Sequence, residues 1–156
     1  MRSPFVLTLI ALAVVVTVAR GMSGIVAQAQ ELPFACESSP LVTTEPSPVE
    51  GADPFGVGPW YVNADRSIWA AWDAGHWRVG RNKVLWIRPG RTLIITGTRI
   101  DADAPPLSAD IPCCYRAGFQ ATALHFPTEG CWRVTAKAGE HELTFVTPVR
   151  QNPSRN

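Results

Sequence analysis

The chain has 156 residues, 46% of them hydrophobic, and its 14 Lys and Arg against 13 Asp and Glu leave a formal charge of +1. That length carries one modest core and excludes a second domain of ordinary size. The near-balance of charge excludes a global field that would gather nucleic acid, so a polyanion partner has to be read from local clusters.

Residues 1–4 carry one positive charge, and residues 5–19 are uncharged and almost wholly apolar. This is the n-region and h-region of an export leader, with small residues at Ala27 and Ala29 placed for cleavage after Ala29. An uncleaved membrane anchor is the competing reading, but Arg20 interrupts the apolar run short of the ~20 residues that span a bilayer. A lipoprotein would need a cysteine directly after the run, and Cys36 lies well downstream. The triplets starting at Asn63, Asn82 and Asn152 all fail as N-glycosylation acceptors.

Residues 30–58 hold Pro33, Pro40, Pro46, Pro48 and Pro54 among Ser, Thr and Gly, a composition that forms neither helix nor central strand. It reads as an extended arm, with Cys36 to tie it down; a flexible stalk has the same composition. From Trp60 the pattern is β, without helical periodicity. Short apolar runs at 67–72, 83–88 and 92–99 predict strands, and Pro89-Gly90 predicts a hairpin turn between the last two. Residues 101–112, with Pro105 and Pro106, read as a connection.

The last third alternates cleanly. Leu124 and Phe126 close one strand. Residues 131–137 place Trp132, Val134 and Ala136 on one face, and Leu143 and Phe145 extend it on the strand after Gly139. Short strands with turns every ~8 to 12 residues predict a sandwich or small barrel.

Residues 124–136, Leu-His-Phe-Pro-Thr-Glu-Gly-Cys-Trp-Arg-Val-Thr-Ala, with the hairpin that follows, resemble the last strands of immunoglobulin-like domains of uncharacterised function in secreted bacterial proteins. The resemblance covers about a quarter of the chain and implies an adhesion, scaffold or ligand-binding module, although fold alone assigns no activity. Cys131 begins its strand on the face opposite Trp132, a departure from the buried inter-sheet bridge of antibody domains. The expected organisation is all-β: a signal peptide over 1–29, a Pro-rich arm over 30–58, an immunoglobulin-like antiparallel β-sandwich over 59–150, and a disordered tail over 151–156.

Cys36, Cys113, Cys114 and Cys131 form an even set in an exported chain, which favours two disulfides over zinc thiolates. Adjacent residues of an extended backbone point to opposite sides, so Cys113 and Cys114 are expected to reach different partners: Cys113 with Cys36 and Cys114 with Cys131, or the same pairing with 113 and 114 exchanged.

No nucleophile elbow, zinc-protease helix or phosphate loop is present, so no catalytic role is expected. Asp101, Asp103 and Asp110 read as solvated loop carboxylates without calcium-loop spacing. His76, His125 and His141 are the imidazoles available to copper or zinc, and none stands at ligand spacing from another. The most distinctive feature is the crowding of Trp60, Trp69, Trp72, Trp77 and Trp86 before residue 90, interleaved with cations. Aromatic and guanidinium groups together stack on sugars and hold anions, which nominates Trp77, Arg78, Arg81, Lys83, Trp86 and Arg88 as a ligand-binding set. The bland alternative is that the tryptophans are core. In residues 83–88, alternation offers two cases: Leu85 and Ile87 inward with Trp86 and Arg88 projecting, or Trp86 hidden beneath the arm. The expected role is an exported non-catalytic binding or structural module for a glycan, an anionic envelope polymer or a protein, without cofactor, nucleic acid or lasting membrane span. A metal-handling exported protein is the alternative.

Overall fold

A computed structural model describes residues 35–44, 46–47, 57–72, 76–113, 115 and 118–153, apart from the Trp72 side chain. All of them belong to the compact unit Glu31–Asn156. The expected leader with its cleavage point, most of the Pro-rich segment and residues 154–156 lie outside the described residues.

Every described element is a strand: β1 Tyr61–Val62, β2 Trp69–Trp72, β3 Trp77–Arg78, β4 Gly80–Arg88, β5 Leu93–Arg99, β6 Ser108–Asp110, β7 Gly118–Phe126, β8 Gly130–Ala138 and β9 His141–Arg150. They form two sheets, one ordered β1-β2-β4-β7-β6 and the other β3-β9-β8-β5. All pairings are antiparallel except that of β3 with β9. Two sheets burying their facing sides against one another make a β-sandwich.

The C-terminal alternation is realised as read. Trp132, Val134 and Ala136 from β8 and Leu143 and Phe145 from β9 are buried in the main core, which Leu124 and Phe126 of β7 also enter. A relay of rings joins the sheets: Tyr61 stacks on Phe145 at 4.1 Å, Phe145 on Trp77 at 5.9 Å, and Phe126 meets Trp77 and Trp132 edge-on. Such pairs add about 0.5–1.5 kcal/mol each beyond their burial.

Three expectations are corrected. Residues 83–88 and 92–99 are not a hairpin, because β4 pairs with β2 and β7 whereas β5 pairs with β8. The Pro89-Gly90 turn carries the chain from one sheet to the other. The connection 101–112 contains a strand, β6, held on β7 at the sheet edge. The disulfide pairing also differs: Cys36 bonds Cys131 directly. Cys113 is disulfide-bonded as well, and its neighbour Cys114 lies outside the described residues.

Cys131 sits on the outward side of β8, opposite Trp132, so its bridge holds Cys36 against the outside of the second sheet. From there, Ser39 donates its backbone N–H to Val146 O, and its hydroxyl accepts from Val146 N. Val42 then makes an antiparallel bridge with Trp60. Behind this bridge a second apolar cluster, Trp60, Trp69, Ala71 and Ile87, is packed by Val42, Val57, Val62 and Phe119 on the outward face of the first sheet. At the other end of the chain, Arg78 Nη1 donates to Gln151 O and Asn152 Nδ2 to Val79 O. The first residues of the expected disordered tail are therefore held.

Candidate functional site

The second cluster decides how β4 is oriented. Its apolar run has no polar alternation, because both faces of this central strand are covered, and a period of two cannot choose between them. Val84 and Trp86 enter the main core, while Ile87 packs beneath Trp60 and Trp69 on the opposite side. Trp86 is fully buried, and its indole Nε1 donates to Thr122 Oγ1 at 2.9 Å. The reading that projected Trp86 and Arg88 together is thus reversed. Trp86 is hidden by the opposing sheet rather than by the Pro-rich segment.

Arg88 shares that inward side and is only 4% exposed. Its Nε donates to Gln120 Oε1 at 2.6 Å, its Nη1 to the carbonyls of Pro89 and Arg91, and its Nη2 to Tyr115 O. All four acceptors are neutral. Burial accordingly pulls its pKa below the ordinary arginine range. Gln120 Nε2 in turn donates to Pro112 O, so the pair grips the backbone on both sides of Cys113. Arg88 is a structural clamp and is not open to a ligand.

Trp77 is buried as well, within the aromatic relay. Arg78 is half-buried, and Asn82 orders its backbone by accepting from Arg78 N and donating to Arg78 O and Gly80 O. Of the six nominated residues, Arg81 and Lys83 alone are exposed. They leave β4 on one face, their Cα partners on β7 being His125 and Ala123. Neither makes a side-chain hydrogen bond or ion pair among the described residues. The nearby imidazole is engaged: His125 Nε2 lies 2.8 Å from Asp110 Oδ2.

The histidines do not converge. His141 Nδ1 meets Asp65 Oδ2 at 2.9 Å at the start of β9, and His76 is exposed beside β3. Among the described residues, no three His, Cys, Asp or Glu side chains come together to hold a metal. Asp101, expected to be solvated, is engaged: it accepts from Arg99 Nε at 2.8 Å and from Cys131 N at 3.0 Å.

Sequence reasoning missed the open side of the sandwich. There Tyr61, Thr147 and Pro148 line a cleft of about 170 Å³ together with Trp77 and Arg150. Tyr61 donates from its hydroxyl to Thr147 Oγ1 at 3.1 Å, and both residues are buried. Burial pushes the Tyr61 phenol above its ordinary pKa, opposed in part by its hydrogen bonds with Thr147 and Trp77. The available signal was Pro148 inside an otherwise alternating strand, since proline marks a place where no ladder donor is required. No protein-family model, curated protein or solved structure matches the chain.

Proposed function

We propose that the chain is an exported, non-catalytic binding module of immunoglobulin-like topology, whose outward β4 cations hold an anionic glycan or envelope polymer. The observation that carries the reading is the pair Arg81 and Lys83, exposed side by side on one face without a bonded carboxylate among the described residues. Two such cations meet consecutive anionic groups along a polymer without first breaking ion pairs of their own.

Support for the topology comes from strand order. The row β2-β4-β7-β6 facing β9-β8-β5 follows the ABED and GFC sheets of immunoglobulin domains, with β1 added beside β2 and β3 added in parallel beside β9. Support for export comes from the leader-like residues 1–29 and from the Cys36–Cys131 bridge, which is compatible with an oxidising compartment.

The test is retention on immobilised dextran sulfate against uncharged dextran, over a salt gradient. The native chain is expected to bind the sulfated matrix and to elute with salt. Arg81→Glu/Lys83→Glu should abolish retention with an unchanged melting curve, because both side chains project into solvent. Equal retention on both matrices, or full retention by the double variant, would refute the reading.

A further inference from the structure

The cleft on the open side of the sandwich follows from how the edge of β9 is used. Ser39 pairs with that edge at Val146, and β3 pairs with it at Val149 and Arg150. Pro148 lies between, and having no N–H it leaves no backbone donor to be satisfied there. The two coverings therefore stand apart. Ser38, Ser39 and Leu41 form one wall of the gap, and His76, Trp77 and Arg150 the other. The first wall is anchored by the Cys36–Cys131 bridge and by both bonds between Ser39 and Val146. A cavity held by a covalent staple on one side and a strand on the other is preorganised.

Its polarity is one-sided. Tyr61 donates to Thr147 Oγ1, so the hydroxyl hydrogen of Thr147 itself has no acceptor among the described residues, although Thr147 is 1% exposed. At the rim stand Arg150 and His76, neither of which has a side-chain hydrogen bond or ion pair among the described residues. Among the described residues, no Asp or Glu lines the cleft. The apolar part of the lining comes from Leu41, Trp77 and Pro148, beside Ser38 and Ser39 of the stapled wall. A buried donor, a guanidinium and an apolar wall together select an acceptor that is negative and carries a hydrophobic body. A cleft of about 170 Å³ suits a short branched acyl group rather than a long chain.

We propose that this cleft is a binding site for a small carboxylate with a short apolar body, its oxygens received by the Thr147 hydroxyl and the Arg150 guanidinium and its alkyl part laid against Trp77 and Pro148. The site is separate from the β4 cations and stands whether or not those hold a polymer. The same chemistry is offered by a free short-chain acid and by the C-terminal residue of a peptide.

The experiment is a titration of the unaltered chain with isovalerate, followed by the Trp77 indole N–H and Thr147 methyl resonances. Both are expected to shift and saturate, and isovaleramide, of equal shape but uncharged, is expected to bind at least about tenfold more weakly. Arg150→Gln should weaken isovalerate by about tenfold with unchanged backbone resonances elsewhere. Thr147→Val tests the buried donor, and Thr147→Ser, which keeps the hydroxyl, should restore affinity. A peptide ending in free leucine, compared with its amidated form, separates the sources: tighter binding than isovalerate identifies a peptide terminus, weaker binding a free acid. Absence of a saturable shift at Trp77 up to tens of millimolar isovalerate, or equal binding of acid and amide, would overturn the proposal.

Discussion

Arg88 and Gln120 are joined inside the sandwich by a 2.6 Å hydrogen bond from Nε to Oε1, and through this contact three stretches of chain meet. Arg88 holds the Pro89–Arg91 turn and Tyr115, while Gln120 holds Pro112. Removing Gln120 leaves a buried charged donor without its acceptor, which costs more than the bond contributes when intact. Gln120→Leu is expected to lower stability by about 2–3 kcal/mol in urea unfolding. Arg88→Leu/Gln120→Leu should lose clearly less than the sum of the two single losses, because each single variant strands the other partner. Strict additivity in that cycle would show that the two side chains do not act as a unit.

Trp86 lies wholly in the main core. Trp86→Ala is therefore expected to cost about 3–5 kcal/mol through the cavity it leaves. Trp86→Phe, which keeps most of the ring volume but loses the donation to Thr122 Oγ1, should cost about 1–2 kcal/mol. A melting temperature unchanged by Trp86→Ala would place the indole outside the sandwich.

The Cys36–Cys131 bridge closes a sequence separation of 95 residues. In the chain-entropy account, a loop of that size is worth about 4–5 kcal/mol, which Cys36→Ser/Cys131→Ser should forfeit. Non-reducing tryptic mapping is expected to recover the Cys36 and Cys131 peptides joined. Cys113 and Cys114 should remain on one peptide that takes up thiol reagent only after reduction. A fragment linking Cys36 to the Cys113–Cys114 peptide would contradict this pairing.

Asp65 is held at a pKa of about 2, chiefly by the Ser67 hydroxyl, then by His141 and the Ser67 backbone N–H. A depressed carboxyl pKa contributes stability that is fully present above the ordinary value of 3.8 and is lost as pH falls through about 2. The group is exposed, so the effect on global unfolding is small, and its local readout is NMR. The Asp65 carboxyl is expected to titrate with a midpoint near 2 in the native chain, and Asp65→Asn should free the His141 ring from its contact at the start of β9. A midpoint near 4 would show that the Ser67 and His141 contacts do not persist in solution.

By itself the sequence determined the class of the fold and the inward faces of its last strands. In β8 and β9 polar and apolar residues alternate because one face meets the core and the other meets water, so Trp132, Val134, Leu143 and Phe145 could be placed from period alone. The same rule had nothing to act on in β4, where Val84, Leu85, Trp86 and Ile87 are all apolar because each face is covered by a different cluster. Only the tertiary structure decided which cluster receives Trp86. It also decided that β4 and β5 part into different sheets, since a turn of Pro and Gly reverses the chain equally well within a sheet or between two. Disulfide partners likewise depend on which residues the topology brings within bonding distance, which put Cys36 on Cys131 rather than on Cys113 or Cys114. The cleft was the least legible feature, because Tyr61, Trp77 and the Thr147–Arg150 end of β9 are far apart along the chain and meet only where three strands and the stapled segment converge.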